Sequence, residues 1–103
     1  MYQVVLCTCP NMESAKEIAT YLVKQKYAAC INIIPNVISI YRWQDNIEQS
    51  EEVQLLIKTE SVKFNIVCRE INRLHPYDTP EVIALNIQQG DKHYLNWIKE
   101  SMN

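Results

Sequence analysis

Hydrophobic and polar positions follow two periods along this chain, and the switches between them lay out the elements. Gln3 to Cys9 is rich in β-branched and apolar residues, ends at Pro10 and reads as a strand. Ala15, Ile18, Ala19, Leu22 and Val23 then recur at the i, i+3, i+4, i+7, i+8 spacing of an amphipathic helix, with Lys16, Glu17, Lys24, Gln25 and Lys26 on its other side. Asn11 is its expected N-cap, and Glu13 places a carboxylate in the first turn, where the helix dipole favours one. Ala28 to Ile34 is a second strand, stopped by Pro35-Asn36, and Val37 to Trp43 is a third extended run. Gln44-Asp45-Asn46 turns the chain, which returns over Ile47 to Thr59. Ser61 is expected to cap a second helix that buries Phe64, Val67, Cys68, Ile71 and Leu74. Val82 to Ile87 is a further strand. Gly90, the only glycine, sits in the turn before a short helix capped by Asp91 and burying Tyr94, Leu95 and Ile98.

Strand, helix, hairpin, helix, strand and final helix in this order predict an α+β domain spanning 1–103. The arrangement is the ferredoxin-like split β-α-β: an antiparallel sheet with an extended central hairpin and both main helices on one face. The opposite face of such a sheet is normally polar. Here Val4-Val5-Leu6, Ile31-Asn32-Ile33-Ile34, Leu55-Leu56-Ile57 and Val82-Ile83-Ala84-Leu85 are apolar at both parities. A sheet apolar on both sides needs two covers. The helices supply one, and an identical subunit is the simplest second.

At 103 residues there is room for one core, and 48% hydrophobic residues exceed what it can hide. A net charge of −2, with no cluster of Lys or Arg, gives no footprint for nucleic acid. The RNA-recognition order of elements is similar, but Gln54-Leu55-Leu56-Ile57 lacks the aromatic and basic residues that such a sheet uses to stack bases. No apolar stretch approaches a membrane span, and Met1-Tyr2-Gln3-Val4-Val5-Leu6 lacks the features of a signal peptide. The expected setting is cytoplasmic, where Cys7, Cys9, Cys30 and Cys68 are reduced thiols. Each thiol on its own reads as a small buried hydrophobe. Cys7 and Cys9 fall on one face of the first strand, but C-x-C is not the spacing of a zinc ribbon or thioredoxin-like site.

Chemistry concentrates in His75-Pro76-Tyr77-Asp78-Thr79-Pro80-Glu81, where two prolines force a stiff loop between helix and strand. It holds acids and a base, but no nucleophile-base-orienter set or cofactor fingerprint accompanies it, so an enzyme is not expected.

Four stretches together resemble the CutA (divalent-cation tolerance) family. They are Val5-Leu6-Cys7-Thr8; Ala28 to Pro35 followed by Ser39-Ile40-Tyr41-Arg42-Trp43; Glu52 to Thr59; and the proline loop followed by Gly90 and Tyr94-Leu95-Asn96-Trp97-Ile98. The resemblance implies a homotrimer of ferredoxin-like subunits, similar in plan to the PII signalling proteins. It also implies a role in tolerance of divalent metals, copper above all, with no organic cofactor. The family's metal positions carry over to Cys7 and His75. Some members have two histidines before Pro-Tyr; Leu74 stands at the first of those positions here, one ligand fewer than a closed site would use. Cys9 and Cys30 are further thiols whose reach periodicity does not fix.

Two readings stand side by side for the remaining residues. His75 ends the second helix, where an imidazole also serves as a partner for free carbonyls. Tyr41 and Trp43 share a strand face and suit subunit packing. The sharper alternative is an intersubunit pocket of Trp43, Lys58, Tyr77 and Glu81 holding a small anion or metal complex. Lys58 would otherwise take a carboxylate partner from the proline loop. Glu48, Glu51 and Glu52 are expected in solvent or in surface ion pairs of little worth, and His93 in solvent.

Overall fold

The computed structural model describes residues 1–103. Strand β1 (Tyr2–Cys9) leads into helix α1 (Met12–Lys24), then strands β2 (Cys30–Trp43) and β3 (Asn46–Glu60). A 3-10 turn over Ser61–Lys63 runs into helix α2 (Phe64–Leu74), followed by strand β4 (Ile83–Asn86) and helix α3 (Lys92–Ser101). The four strands form one antiparallel sheet in the order β2-β3-β1-β4, so the first strand is central although it is made first. This is the α+β, ferredoxin-like topology expected from the pattern.

The periodic residues do what their spacing requires. Ala15, Ile18, Ala19 and Leu22 of α1 and Val67 and Ile71 of α2 pack on Val5, Cys7, Cys9, Val53, Leu55 and Ile57, which alternate along β1 and β3. One core therefore fills the space between the two helices and one sheet face. Asn11 caps α1 by accepting a 2.8 Å hydrogen bond from the Ser14 N–H, and Asp91 caps α3 in the same way from Tyr94. Tyr21 of α1 donates to Glu70 of α2 at 2.8 Å, and Arg73 closes on the same carboxylate at 3.0 Å, tying the two helices together. Gly90 packs so closely on α3 that a Cβ there would lie 2.9 Å from Leu95 Cδ2.

Several expectations are corrected. Pro35-Asn36 does not separate two strands: β2 is continuous and shifts register between Ile34 and Val37. Asn36 takes φ of 62° there, and the bulge leaves Pro35 outside the ladder that its missing N–H could not serve. Ser61 caps nothing with its side chain. Its N–H is bonded to the Met1 carbonyl, and α2 starts from the 3-10 turn without a side-chain cap. Val23 and Tyr94 are exposed, Cys68 is half-buried, and Glu70 joins the buried side of α2. The last strand is shorter than Val82 to Ile87, although the Ile87 N–H still bonds the Tyr2 carbonyl.

The β2–β3 turn is a two-residue one. Gln44 and Asp45 have φ of 48° and 65°, and Trp43 pairs with Asn46 across them. The hairpin reaches well past the helices, giving a chain of 45 × 25 × 22 Å. On the sheet face away from the core, Ile34, Ile83 and Leu85 remain exposed, the last two at 51% and 55%. The two-sided apolar pattern is thus real, and the chain's own elements cover only part of it: α3 packs Ile98 and Met102 against Ala29 and Tyr2. No helix is long and apolar enough to cross a membrane.

Candidate functional site

Two neighbouring features bring the chemistry-bearing residues together, and the proline loop belongs to both. The first is a cluster of soft donors. Cys7 and Cys9 point from β1 into the core, and His75, immediately after α2, arrives beside them. One ligand atom from each of the three lies within 4.8 Å of the others, and all three residues are buried. Cys9 thus joins Cys7 and His75, while Cys30 and Cys68 lie outside the group.

His75 is also fully used by the fold. Its Nδ1 accepts the Tyr77 backbone N–H at 3.1 Å, which places the ring proton on Nε2, and Nε2 donates to the Thr8 carbonyl at 2.8 Å. The imidazole therefore pins the proline loop to the middle strand, bonding a carbonyl of β1 rather than of its own helix. A metal can use this ring only by displacing one of those bonds. The thiols are constrained as well. Pairing with Cys9, then burial and nearby negative charge, hold the Cys7 thiol far above its ordinary value, whereas the same pairing lowers Cys9 against the effect of burial. A metal would have to displace the protons that this environment retains on Cys7. The donor chemistry suits a soft metal ion, which would have to displace both a retained proton and a hydrogen bond of the imidazole.

The second feature is a cavity of about 750 Å³ between the hairpin and the loop. Tyr41 and Trp43 of β2, Glu52 of β3 and Tyr77 and Glu81 of the loop line it. Glu52 is 8% exposed, a correction to its expected place in solvent: the loop covers it, and the Tyr77 hydroxyl donates to it at 2.6 Å. Burial and then this bond raise the Tyr77 hydroxyl well above its ordinary value. Glu81 accepts from the Thr8 hydroxyl at 2.6 Å.

Of the four residues expected in a pocket, Trp43, Tyr77 and Glu81 line this one cavity within a single chain. Lys58 does not. Its Nζ bonds Asn32 Oδ1 at 2.5 Å and lies 5.8 Å from the centre of the Tyr94 ring, so its partner is an amide rather than a loop carboxylate. Glu52 was missed in the sequence, because a carboxylate at an alternating strand position reads as solvated until the loop above it is placed. For Cys9 the signal was there in its shared parity with Cys7. His93 is exposed, as expected.

Comparisons with known proteins agree with one another. A family model described as CutA1 divalent ion tolerance protein matches residues 3–101. The divalent-cation tolerance protein CutA of Thermus thermophilus is 44% identical over 101 residues, covering 98% of each chain. Protein CutA of Homo sapiens is 44% identical over 93 residues; this chain spans about half of that relative's length, 52%. Among solved structures, the Thermus thermophilus divalent cation tolerance protein superposes with a TM-score of 0.96 at 44% identity, covering 98% of each chain. The periplasmic divalent cation tolerance protein CutA of Archaeoglobus fulgidus does so with a TM-score of 0.97 at 38% identity, covering 100% of both.

Proposed function

Because this chain belongs to the CutA1 divalent ion tolerance family, we propose that it serves divalent-metal tolerance without catalysis, as a cytoplasmic homotrimer that binds copper or another soft divalent cation weakly. The observation that carries the metal reading is the convergence of Cys7, Cys9 and His75 within 4.8 Å. Thiolate and imidazole select such ions over magnesium or calcium. Three donors, one of them already hydrogen-bonded on both ring nitrogens, describe a site that loads when the metal is abundant and releases it otherwise. The trimer rests on the sheet face that leaves Ile83 and Leu85 open, which a second copy would cover.

The test is a copper titration of the reduced protein by calorimetry. The Cys7→Ala, His75→Ala double variant is expected to lose binding, and Cys9→Ala to weaken it. Unchanged affinity in the double variant removes these residues from the site. Affinity is expected to fall as the solution is acidified, since protons compete for the thiols and the imidazole. Sedimentation at low concentration tests the assembly, and a well-folded monomer there would sink it.

A second reading, a PII-like signalling or scaffold trimer with a small ligand in clefts between subunits, draws on the cavity beside the triad. A thermal-shift screen separates the two readings, because a ligand of the native state raises the melting temperature by mass action. A response confined to metal ions favours the first, and one to organic ligands the second.

A further inference from the structure

From Pro76 to Val82 the chain makes no hydrogen bond of its own between main-chain groups, so side chains hold the proline loop in place. Three bonds do this. The Tyr77 N–H donates to His75 Nδ1 at 3.1 Å, the Tyr77 hydroxyl to Glu52 at 2.6 Å, and the Thr8 hydroxyl to Glu81 at 2.6 Å. His75 is in turn fixed by the Thr8 carbonyl, which accepts from Nε2 at 2.8 Å. Thr8 stands between Cys7 and Cys9, so the residue that steadies both ends of the loop is flanked by the two thiols. These bonds, and the burial of the three soft donors, are internal to one chain, and assembly with other copies only adds to their cover.

The neutral imidazole of His75 has two ring nitrogens and one proton to divide between them. A metal taken on Nδ1 occupies the lone pair that the Tyr77 N–H uses. A metal taken on Nε2 leaves the ring proton on Nδ1, where it faces the Tyr77 N–H as a second donor, and the Thr8 carbonyl is given up as well. By either route the Tyr77 amide loses its acceptor.

We infer that metal held by Cys7, Cys9 and His75 unfastens the proline loop, so that occupancy of the buried cluster is reported at Tyr77 and, through its hydroxyl, at Glu52 of β3. The inference rests on the metal reading above and adds a signal to it. One imidazole serves as ligand and as latch, and it cannot be both at once. By reciprocity, whatever holds Tyr77 in place opposes the metal, and whatever loosens it favours the metal.

The experiment loads the reduced full chain, in its native assembly, with cadmium chloride, a soft and diamagnetic divalent probe. Residue-resolved amide hydrogen exchange is followed by NMR, and calorimetry on the same sample, set against the Cys7→Ala, His75→Ala double variant, measures loading. The Tyr77 amide is expected to exchange roughly ten-fold faster in the loaded protein, while that of Ser14, bonded to Asn11 at the start of α1, does not speed up. A ligand that merely stabilises the native state slows exchange, so acceleration at one amide is the signature of the latch. Tyr77→Phe loses the hold on Glu52 and keeps the amide, and should bind cadmium roughly five-fold more tightly. Unchanged or slower exchange at Tyr77 in the loaded protein overturns the inference and keeps the metal reading, as does unchanged affinity in Tyr77→Phe. Absence of loading, or equal loading of the double variant, removes both.

Discussion

On the helix-facing side of the sheet Val5, Cys7, Leu55 and Ile57 are fully buried, whereas on the opposite side Ile83 and Leu85 keep half their surface in water. The two sets sit on neighbouring strands and are equally apolar, so composition does not separate them. What differs is the cover. The first face has two amphipathic helices, clamped to each other through Tyr21, Glu70 and Arg73. The second has only α3, packed against Tyr2 and Ala29. Burial here is decided by which elements the chain can spare, not by how hydrophobic a strand is.

That contrast can be broken or sharpened in order of expected effect. Ile57→Ala empties a fully buried position and should cost about 2–5 kcal/mol in a denaturant melt. A much smaller loss would mean that the covered face is loosely packed. Tyr77→Phe removes the donor to Glu52 and should cost about 1.5–3 kcal/mol by the same measurement, since the acceptor is charged and nearly buried. Asn11→Ala removes the cap of the covering helix α1 and should cost about 1 kcal/mol.

Acid should loosen the helix clamp. Arg73 and then Tyr21 hold the Glu70 carboxyl below its ordinary value. The native state therefore binds this proton less readily than the unfolded chain does. The stability Glu70 contributes is complete above the ordinary carboxylate range and is lost as pH falls through its lowered native value. Melting temperature followed into acid should decline less steeply in Glu70→Gln than in the parent.

In a lone chain Leu85→Ala would have the smallest effect, within about 0.5 kcal/mol, because the face is open there; the proposed trimer predicts a larger loss. A loss comparable with Ile57→Ala, together with a smaller species in sedimentation, would show that another copy covers this face in solution.

The residues that were read correctly and those that were not differ in range. Ala15, Ile18, Ala19 and Leu22 declared α1 because helical spacing is written into four or five neighbouring positions. Asn11 and Asp91 declared their caps for the same reason. The candidate site was half legible. Cys7 and His75 came from the family resemblance, and the proline loop from its prolines alone. The buried state of Glu52, the turning of Lys58 towards Asn32 and the bond from His75 to the Thr8 carbonyl depend on residues 25, 26 and 67 positions away. No local pattern encodes them. Pro35-Asn36 misled in the opposite direction, because a strong local stop signal was absorbed by a bulge that the long β2–β3 pairing sustains.

By itself the sequence determined the succession of elements, the α+β class and a sheet greasy on both faces, all of which follow from periodicity and the fixed geometry of proline and the helix cap. Only the tertiary structure decided that Cys9 stands with Cys7 and His75, that Glu52 lies beneath Tyr77, and that Thr8 holds both ends of the proline loop. Periodicity specifies which way a side chain faces along its own strand or helix; what it faces is supplied by segments distant in the chain, and that is fixed only when the whole fold closes.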